Sequence, residues 1–407
     1  MQVTPLNLRA MKILLINNFH YRRGGSEAVY FNMADMLEKA GHEVIFFSCT
    51  DERNSTRGIN SHFVEANSAV NPAIGAIRYI YNRKAAQALK ALIAEQKPDI
   101  AHIHLLWGGL SSSIIKTLKQ CNIPIVHTAH DYRMVCPAYT FRNGNGDICK
   151  RCLDGKYIHC LTNRCSKGKL VQSALMSLEA YFRRAIKAVE DIDGFVFVST
   201  FSYEQHLRGI PALKNKQCIV AHNAIDIPLV NAEQGDYYLY FGRLSSEKGL
   251  LTLIDAFTTL TDLRLKIVGN GDMEGQLREA IRTPNIEMCG YMSGDSLRQI
   301  VAGAKAIIVP SEWYENNPMT IIEASAMGTP AIGAHIGGIP EIILQGRTGY
   351  LFTPKSVEKL ASAVNAMESL STEDYQAMRD ECKASAASAF NTDELYNKII
   401  KLYNSLL

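Results

Sequence analysis

The chain has 407 residues, 47% of them apolar and 20% charged, which is enough to bury two sizeable cores and is ordinary for a globular α/β protein. No apolar run reaches the ~18 residues of a membrane span, and Met1 to Ala10 lacks the apolar core of a signal peptide, so a cytoplasmic location is expected. The net charge of +3 is unevenly shared: residues 1–225 carry 28 Lys and Arg against 17 Asp and Glu, while the remainder carries 15 against 23. A basic first half suits an anionic surface or a phosphate-bearing acceptor, or simple attraction between two domains of opposite sign.

Lys12 to Asn17 reads as an apolar strand that enters Tyr21-Arg-Arg-Gly24-Gly25-Ser26-Glu27 and then a helix through Lys39, ended by Gly41. Gly24 and Gly25 let the backbone approach a phosphate or sugar, with Ser26 as the expected N-cap, although a tight turn without a ligand reads the same way. The G-x-G-x-x-G dinucleotide pattern is missing. Residues 51–71 read as a polar loop. Ile77 to Gln96 reads as one helix mixing Arg78, Arg83, Lys84 and Lys90 with Tyr79, Ile80 and Tyr81, either an interfacial amphipathic helix or an ordinary surface helix.

Pro98 to His104 and Ile123 to His127 are the next strands, and the second runs into Thr128-Ala129-His130-Asp131. At a strand C-terminus a histidine can donate to a sugar hydroxyl and an aspartate can act as base; a structural hydrogen bond to the next loop is the alternative. The segment Cys136 to Cys165 holds Cys149-x2-Cys152-x7-Cys160-x4-Cys165. In a cytosolic chain this spacing favours a structural zinc, with a redox pair or reduced bystander thiols as the other readings, and Cys136 and His159 as spare ligands. Asp191-Ile-Asp193 spells D-x-D but precedes the strand Gly194 to Ser199, the wrong edge of a parallel sheet for a ligand, so no metal is assigned to it.

After His222-Asn223-Ala-Ile-Asp226, Tyr237 to Phe241 starts a second series of strands and ends in Gly242-Arg243-Leu-Ser-Ser-Glu247-Lys248-Gly249. Arg243 offers a fork and Lys248 a mobile charge, a pairing suited to a diphosphate. Arg264 to Val268 and Ile286 to Gly290 enter further loops, and Gly290 and Tyr291 stand where a nucleotide base is received. Lys305 to Val309 is a buried strand. Asn317 and Pro318 then read as an N-cap and first-turn proline of a helix ending at Gly328, whose early amides, from Asn317 through Met319 to Thr320, suit an anion. Glu315 and Glu323 flank that helix start. Two carboxylates repel a phosphate, so the pair makes sense where each accepts hydrogen bonds from hydroxyls of an attached sugar or ribose. Asp393 to Leu407 closes the chain as an amphipathic helix.

Glu315 and Glu323, followed by Ala-Met-Gly-Thr-Pro and by Gly337-Gly338-Ile-Pro-Glu341, resemble the E-x7-E signature of glycosyltransferase family 4. The first glycine turn, Gly41-His42-Glu43-Val44, His130 and the Arg243 to Lys248 loop resemble the same family, so the likeness spans nearly the whole chain. It implies a GT-B fold: two Rossmann-like doubly wound α/β domains facing a cleft, residues 1–222 with a Cys-rich insertion at 136–165, residues 223–389, and a helix at 390–407 crossing back to the first domain.

The resemblance also implies transfer from a nucleotide-diphosphate sugar to a glycan acceptor with retention of configuration and without a catalytic metal or other cofactor. Arg243 and Lys248 would neutralise the diphosphate, Glu323 would hold the ribose, and Glu315 and His130 would orient the sugar, with Gly24 and Gly25 lining its path. The expected setting is cell-surface polysaccharide synthesis on a lipid-linked acceptor at the inner face of the plasma membrane, with no nucleic-acid partner. A nucleotide-sugar epimerase of the same fold, needing no acceptor, and a silent nucleotide-sugar-binding module are the alternatives; the latter would not need the Arg243, Lys248 and Glu pair.

Overall fold

The computed structural model describes residues 10–226, 230 and 232–407, so the expectation drawn from the N-terminal stretch lies, up to residue 9, outside the described residues. The chain forms two compact units. The first takes the chain up to Val198 with Tyr203–Ala221 and Tyr396–Leu407; the second takes Ser199–Ser202 and His222–Leu395.

The first unit runs β1 (Lys12–Ile16), α1 (Gly25–Lys39), β2 (Glu43–Phe47), a short pair β3 (Cys49–Thr50) and β4 (Val64–Glu65), α2 (Pro72–Ile80), α3 (Arg83–Gln96), β5 (Ile100–Ile103), α4 (Ser113–Gln120), β6 (Ile125–Ala129), α5 (Ile158–Thr162), α6 (Leu170–Ala185), β7 (Gly194–Phe197), α7 (Thr200–Gly209, of this unit from Tyr203 on) and β8 (Gln217–Val220). Six strands form one parallel sheet in the order β2-β1-β5-β6-β7-β8. Strands covered by helices on both faces need apolar residues at every position, which is why Ile13 to Ile16 and Phe195 to Phe197 are buried without alternation. The order reverses between β1 and β5, so the loops after these two strands open at the switch point where such sheets receive ligands.

Three expectations for this unit are corrected. The single helix from Ile77 to Gln96 is two helices, because Asn82 accepts the Ala85 N–H at 3.1 Å and caps a new start. The N-cap of α1 is Gly24, in extended conformation, and Ser26 lies inside the first turn with its hydroxyl donating to Glu27 at 3.1 Å. Residues 51–71 are not all loop, since Val64–Glu65 pairs with Cys49–Thr50.

The second unit runs β9 (Tyr237–Phe241), α8 (Leu250–Thr259), β10 (Arg264–Val268), α9 (Glu274–Ala280), β11 (Ile286–Gly290), α10 (Gly294–Ala302), β12 (Ala306–Val309), α11 (Met319–Ala326), β13 (Ala331–Ala334), β14 (Gly349–Phe352), α12 (Val357–Glu368) and α13 (Thr372–Ala389). Its parallel sheet has the order β11-β10-β9-β12-β13-β14, with the reversal between β9 and β12. Leu239, Leu253, Ile267, Ile307, Ile321 and Ile332 sit fully or almost fully buried in one continuous core. Gly328 ends α11 with φ +74°, as a left-handed C-terminal glycine does. α14 (Thr392–Asn404) leaves the second unit at Leu395 and belongs to the first from Tyr396 on, where the Tyr396 hydroxyl meets His42 Nε2 at 2.9 Å and the Tyr403 hydroxyl meets His102 Nδ1. No helix among the described residues is long and apolar enough to cross a membrane.

Candidate functional site

In the second unit the loops that follow β9 and β12, the strands at its switch point, carry the residues singled out from the sequence. The two loops are joined directly. The Glu312 N–H donates to the Glu247 carbonyl at 2.9 Å, and Gly249, at φ +69°, passes so close to Pro310 that a Cβ there would lie 2.0 Å from its carbonyl oxygen. Only glycine fits this crossing. It brings Lys248 against Glu315, with Nζ 2.7 Å from Oε1, and the Ser311 hydroxyl donates to the same oxygen at 2.7 Å. The ammonium also lies 5.5 Å from the centre of the Trp313 ring, a cation–π contact that fixes its approach.

Glu315 is 6% exposed. Burial opposes its ionisation, but the Lys248 charge and the hydrogen bonds from Lys248 and Ser311 outweigh it, and the carboxyl is held below its ordinary range. On its other side, the Gly338 N–H donates to the Glu315 carbonyl at 2.8 Å, and Gly337 at φ +62° leaves no room for a Cβ beside the Glu315 backbone. The Gly337-Gly338 pair therefore has a packing role: it lets the next loop lie on the Glu315 peptide.

Glu323 follows on α11 and behaves oppositely. Burial raises its carboxyl to about 7, and the Arg298 charge only partly offsets this. One carboxylate is thus locked ionised by a cation and the other titrates near neutrality. Arg243 is exposed at the start of its loop, whose backbone is fixed by the Tyr240 hydroxyl donating to the Arg243 carbonyl at 2.7 Å. Gly290, at φ +74°, accepts from the Gly269 N–H at 2.8 Å, and Tyr291 next to it is 69% exposed.

The helix start is one residue later than the sequence suggested. Pro318 is the N-cap residue and α11 begins at Met319, because Asn317 is used elsewhere: its side-chain oxygen accepts the Asn223 N–H at 2.8 Å, and its carbonyl accepts from the Asn223 side chain at 3.1 Å. Pro318 has no N–H, so the outward amides are those of Met319 and Thr320.

In the first unit His130 stands half-buried just beyond β6. Its Nε2 lies 2.8 Å from Nδ1 of His104 and the rings stack at 5.0 Å, while His104 stacks in turn on His102 at 4.9 Å. Burial drives His130 down to about 3 and His127 to about 4, and pushes His102 and His104 well below the ordinary range, so this column is neutral at physiological pH. Asp131, the alternative base, accepts the Arg133 N–H at 2.8 Å, and burial raises its carboxyl. His104 was not singled out, although its spacing of two from His102 on one strand was a visible sign that both side chains share a face. Gly24 and Gly25 lie after β1 at this unit's switch point, and neither has a positive φ.

Asp191 and Asp193 hold the lower edge of the first sheet, where Lys116 reaches Asp191 at 2.5 Å and the Ile125 N–H donates to Asp193 at 3.0 Å. The cysteines of the 136–165 segment are neighbours. The Cys160 and Cys165 thiols share a hydrogen bond, and Cys152 feels Cys136, Cys165 and Cys149. Burial pushes Cys136 up to about 11. Among the described residues no three Cys, His, Asp or Glu side chains already stand as a metal-holding group.

Comparison with known proteins gives this arrangement a family. Residues 23–228 match the family described as Glycosyltransferase Family 4, and residues 223–386 match Glycosyl transferases group 1. An uncharacterised 42.6 kDa protein of the Klebsiella pneumoniae cps region is 24% identical over 82% of this chain and 87% of its own length. The lipopolysaccharide 1,2-N-acetylglucosaminetransferase of Salmonella typhimurium is 35% identical over 33% of this chain and 39% of its own. Among solved structures, the sucrose-phosphate synthase of Thermosynechococcus elongatus superposes with a TM-score of 0.71 at 18% identity, covering 97% of this chain and 99% of that one. Anabaena HepE, solved in complex with UDP and glucose, gives 0.69 at 16%, covering 97% and 100%. The two parallel-sheet α/β units are those of GT-B glycosyltransferases, and the chain belongs to glycosyltransferase family 4.

Proposed function

We propose that the chain transfers a sugar from a nucleotide-diphosphate sugar to a glycan acceptor with retention of configuration. The observation that carries this is the buried Lys248–Glu315–Ser311 contact at the switch point of the second sheet, with Glu323 following on α11. A departing diphosphate gains negative charge as the glycosidic bond breaks. Arg243, Lys248 and the outward amides of α11 supply positive charge for it, so no metal is given that role. Glu315 then does two things: it aims the Lys248 ammonium and offers its second oxygen to sugar hydroxyls. Glu323, ionised above about pH 7, accepts from the ribose diol, and the Gly290 to Tyr291 turn receives the base. His130, neutral at working pH, is a hydroxyl donor and not a proton shuttle.

The acceptor we propose is a lipid-linked glycan of capsule or lipopolysaccharide assembly, handled at the inner membrane surface. Relatives named for a cps region and for lipopolysaccharide synthesis support it, as does the basic first half. Cys149, Cys152, Cys160 and Cys165 are the proposed donor set for one structural zinc, which would tie the inserted segment together. The test of the activity is incubation with UDP-, GDP- and ADP-sugars and a polyprenyl-diphosphate-linked glycan, with the product's anomeric configuration read by NMR. A changed nucleotide sugar formed without acceptor would identify an epimerase instead.

A further inference from the structure

Two neighbouring helices of the first unit are turned inside out. On α6 the buried positions are Ser173, Ser177, Glu179, Ala180 and Arg183, with Glu179 and Arg183 2% exposed and paired at 3.5 Å. Its outward positions are Leu170, Val171, Leu178 and Tyr181, with Val171 81% and Leu178 56% exposed. Val171, Leu178 and Tyr181 recur at helical spacing and form one stripe. On α2, which packs beside α6, the buried residue is Arg78, paired with Glu65 at 3.1 Å, while Ile77 is 68% and Ile74 48% exposed. Ile158 of α5, also exposed, is tied to the stripe by its N–H donating to the Tyr181 hydroxyl at 3.0 Å.

A soluble helix buries its apolar stripe, so a helix that buries its ion pair and exposes leucine and valine is built to meet an apolar phase. The surroundings say which one. Residues 150–190 carry nine Lys and Arg against three Asp and Glu, and Lys156, Arg164, Lys169 and Lys187 are exposed. An apolar stripe with an aromatic hydroxyl at its side, on a segment rich in exposed Lys and Arg, matches the acyl boundary and anionic headgroups of a bilayer. We infer that the outward stripe of α6, with the neighbouring exposed residues of α5 and α2, is the surface by which the chain lies on an anionic lipid membrane. It gives the membrane part of the reading above a definite place, and it relocates it. The basic helix expected from Arg78 to Lys90 does not exist as one element, and Arg78 points inward. The inference uses none of the donor-site residues, so its failure would leave the transferase reading untouched.

The experiment is co-sedimentation of the full chain with phosphatidylcholine vesicles, with and without phosphatidylglycerol, for the parent and for Val171→Asp/Leu178→Asp. Both positions are exposed, so thermal melts and nucleotide-sugar binding in solution should match the parent. The parent should bind the anionic vesicles, less so as salt rises, and the double variant should bind about a hundredfold or more weakly, since two inserted aliphatic side chains are replaced by carboxylates. Equal binding of parent and variant, equal binding to both vesicle types, or no binding would overturn the inference. So would a parent dimer in analytical ultracentrifugation that the substitutions dissociate, because the stripe would then belong to a second copy.

Discussion

Lys248 and Glu315 are already joined, Nζ to Oε1 at 2.7 Å, on a carboxylate that is almost wholly buried. The cation proposed for the leaving diphosphate is therefore not a loose surface charge: its position is set before any donor arrives, which is what differential stabilisation of a transition state requires. Lys248→Ala should accordingly lower kcat by about a hundred- to a thousandfold, with a much smaller change in donor affinity. Steady-state kinetics on protein whose melting matches the parent decides it. An unchanged kcat would remove Lys248 from the diphosphate.

The proposed role of Glu323 makes donor recognition pH-dependent. Its carboxyl titrates near 7, and only the ionised form accepts from both hydroxyls of a diol. Donor KM should therefore rise as pH falls below about 7, while Glu323→Gln should have a raised and nearly pH-independent KM. For Glu323→Ala the loss of a charged hydrogen bond of about 1.5 to 3 kcal/mol corresponds to a ten- to hundredfold higher KM with kcat little changed. A KM profile of the parent that stays flat from pH 6 to 8 would contradict the assignment.

The buried histidines set an acid limit on the first unit. His127 is neutral in the fold with its titration lowered to about 4, against 6.5 when exposed, so the unfolded chain binds the extra proton between these values. Stability is fully present above 6.5 and is lost as pH falls, by about 1.4 kcal/mol per pH unit for each such group down to the folded value. Melting of the parent should drop steeply from pH 6.5 towards 4, and His127→Asn should lessen the slope. A melting temperature independent of pH across that interval would mean that the ring is solvated.

The sulfurs of Cys149, Cys152, Cys160 and Cys165 should bind about one zinc per chain in protein purified without chelator. Metal analysis by mass spectrometry, together with melting of Cys149→Ser/Cys152→Ser, checks this. Substoichiometric metal and an unchanged melt would leave these groups as reduced thiols without a metal.

How much of this could be read beforehand depends on whether the cause was local. Tyr237–Phe241, Arg264–Val268 and Ile286–Gly290 were recoverable to the residue because each is a short run with a buried apolar core, Leu239, Leu265 with Ile267, and Ile286, that ends at a glycine turn. The E-x7-E spacing placed Glu315 and Glu323 correctly around α11. The Asn317-Pro318 signal was misread because a cap is only one use of an asparagine, and the backbone and side chain of Asn223, 94 residues away, claimed it. Asn82 was overlooked for the opposite reason: its cap is local, but continuous apolar periodicity on both sides concealed it. The inward Arg78 has a partner that no periodicity reveals, Glu65 on a preceding strand, whereas Glu179 and Arg183 show the i,i+4 spacing of a helical ion pair and only its burial was hidden. That the Lys248 ammonium is held by Glu315 was likewise invisible, since it requires two loops 67 residues apart to cross at Gly249.

The most direct measurement is calorimetric titration of the chain, and of Arg243→Ala/Lys248→Ala/Glu323→Ala, with UDP-, GDP- and ADP-sugars. The parent should bind one class of nucleotide sugar with a stoichiometry of about one. The triple variant, melting as the parent does, should lose about a hundredfold or more in affinity, since three charged contacts are removed. Absence of binding to every nucleotide sugar, or equal affinity in parent and variant, would contradict a donor site built on these residues.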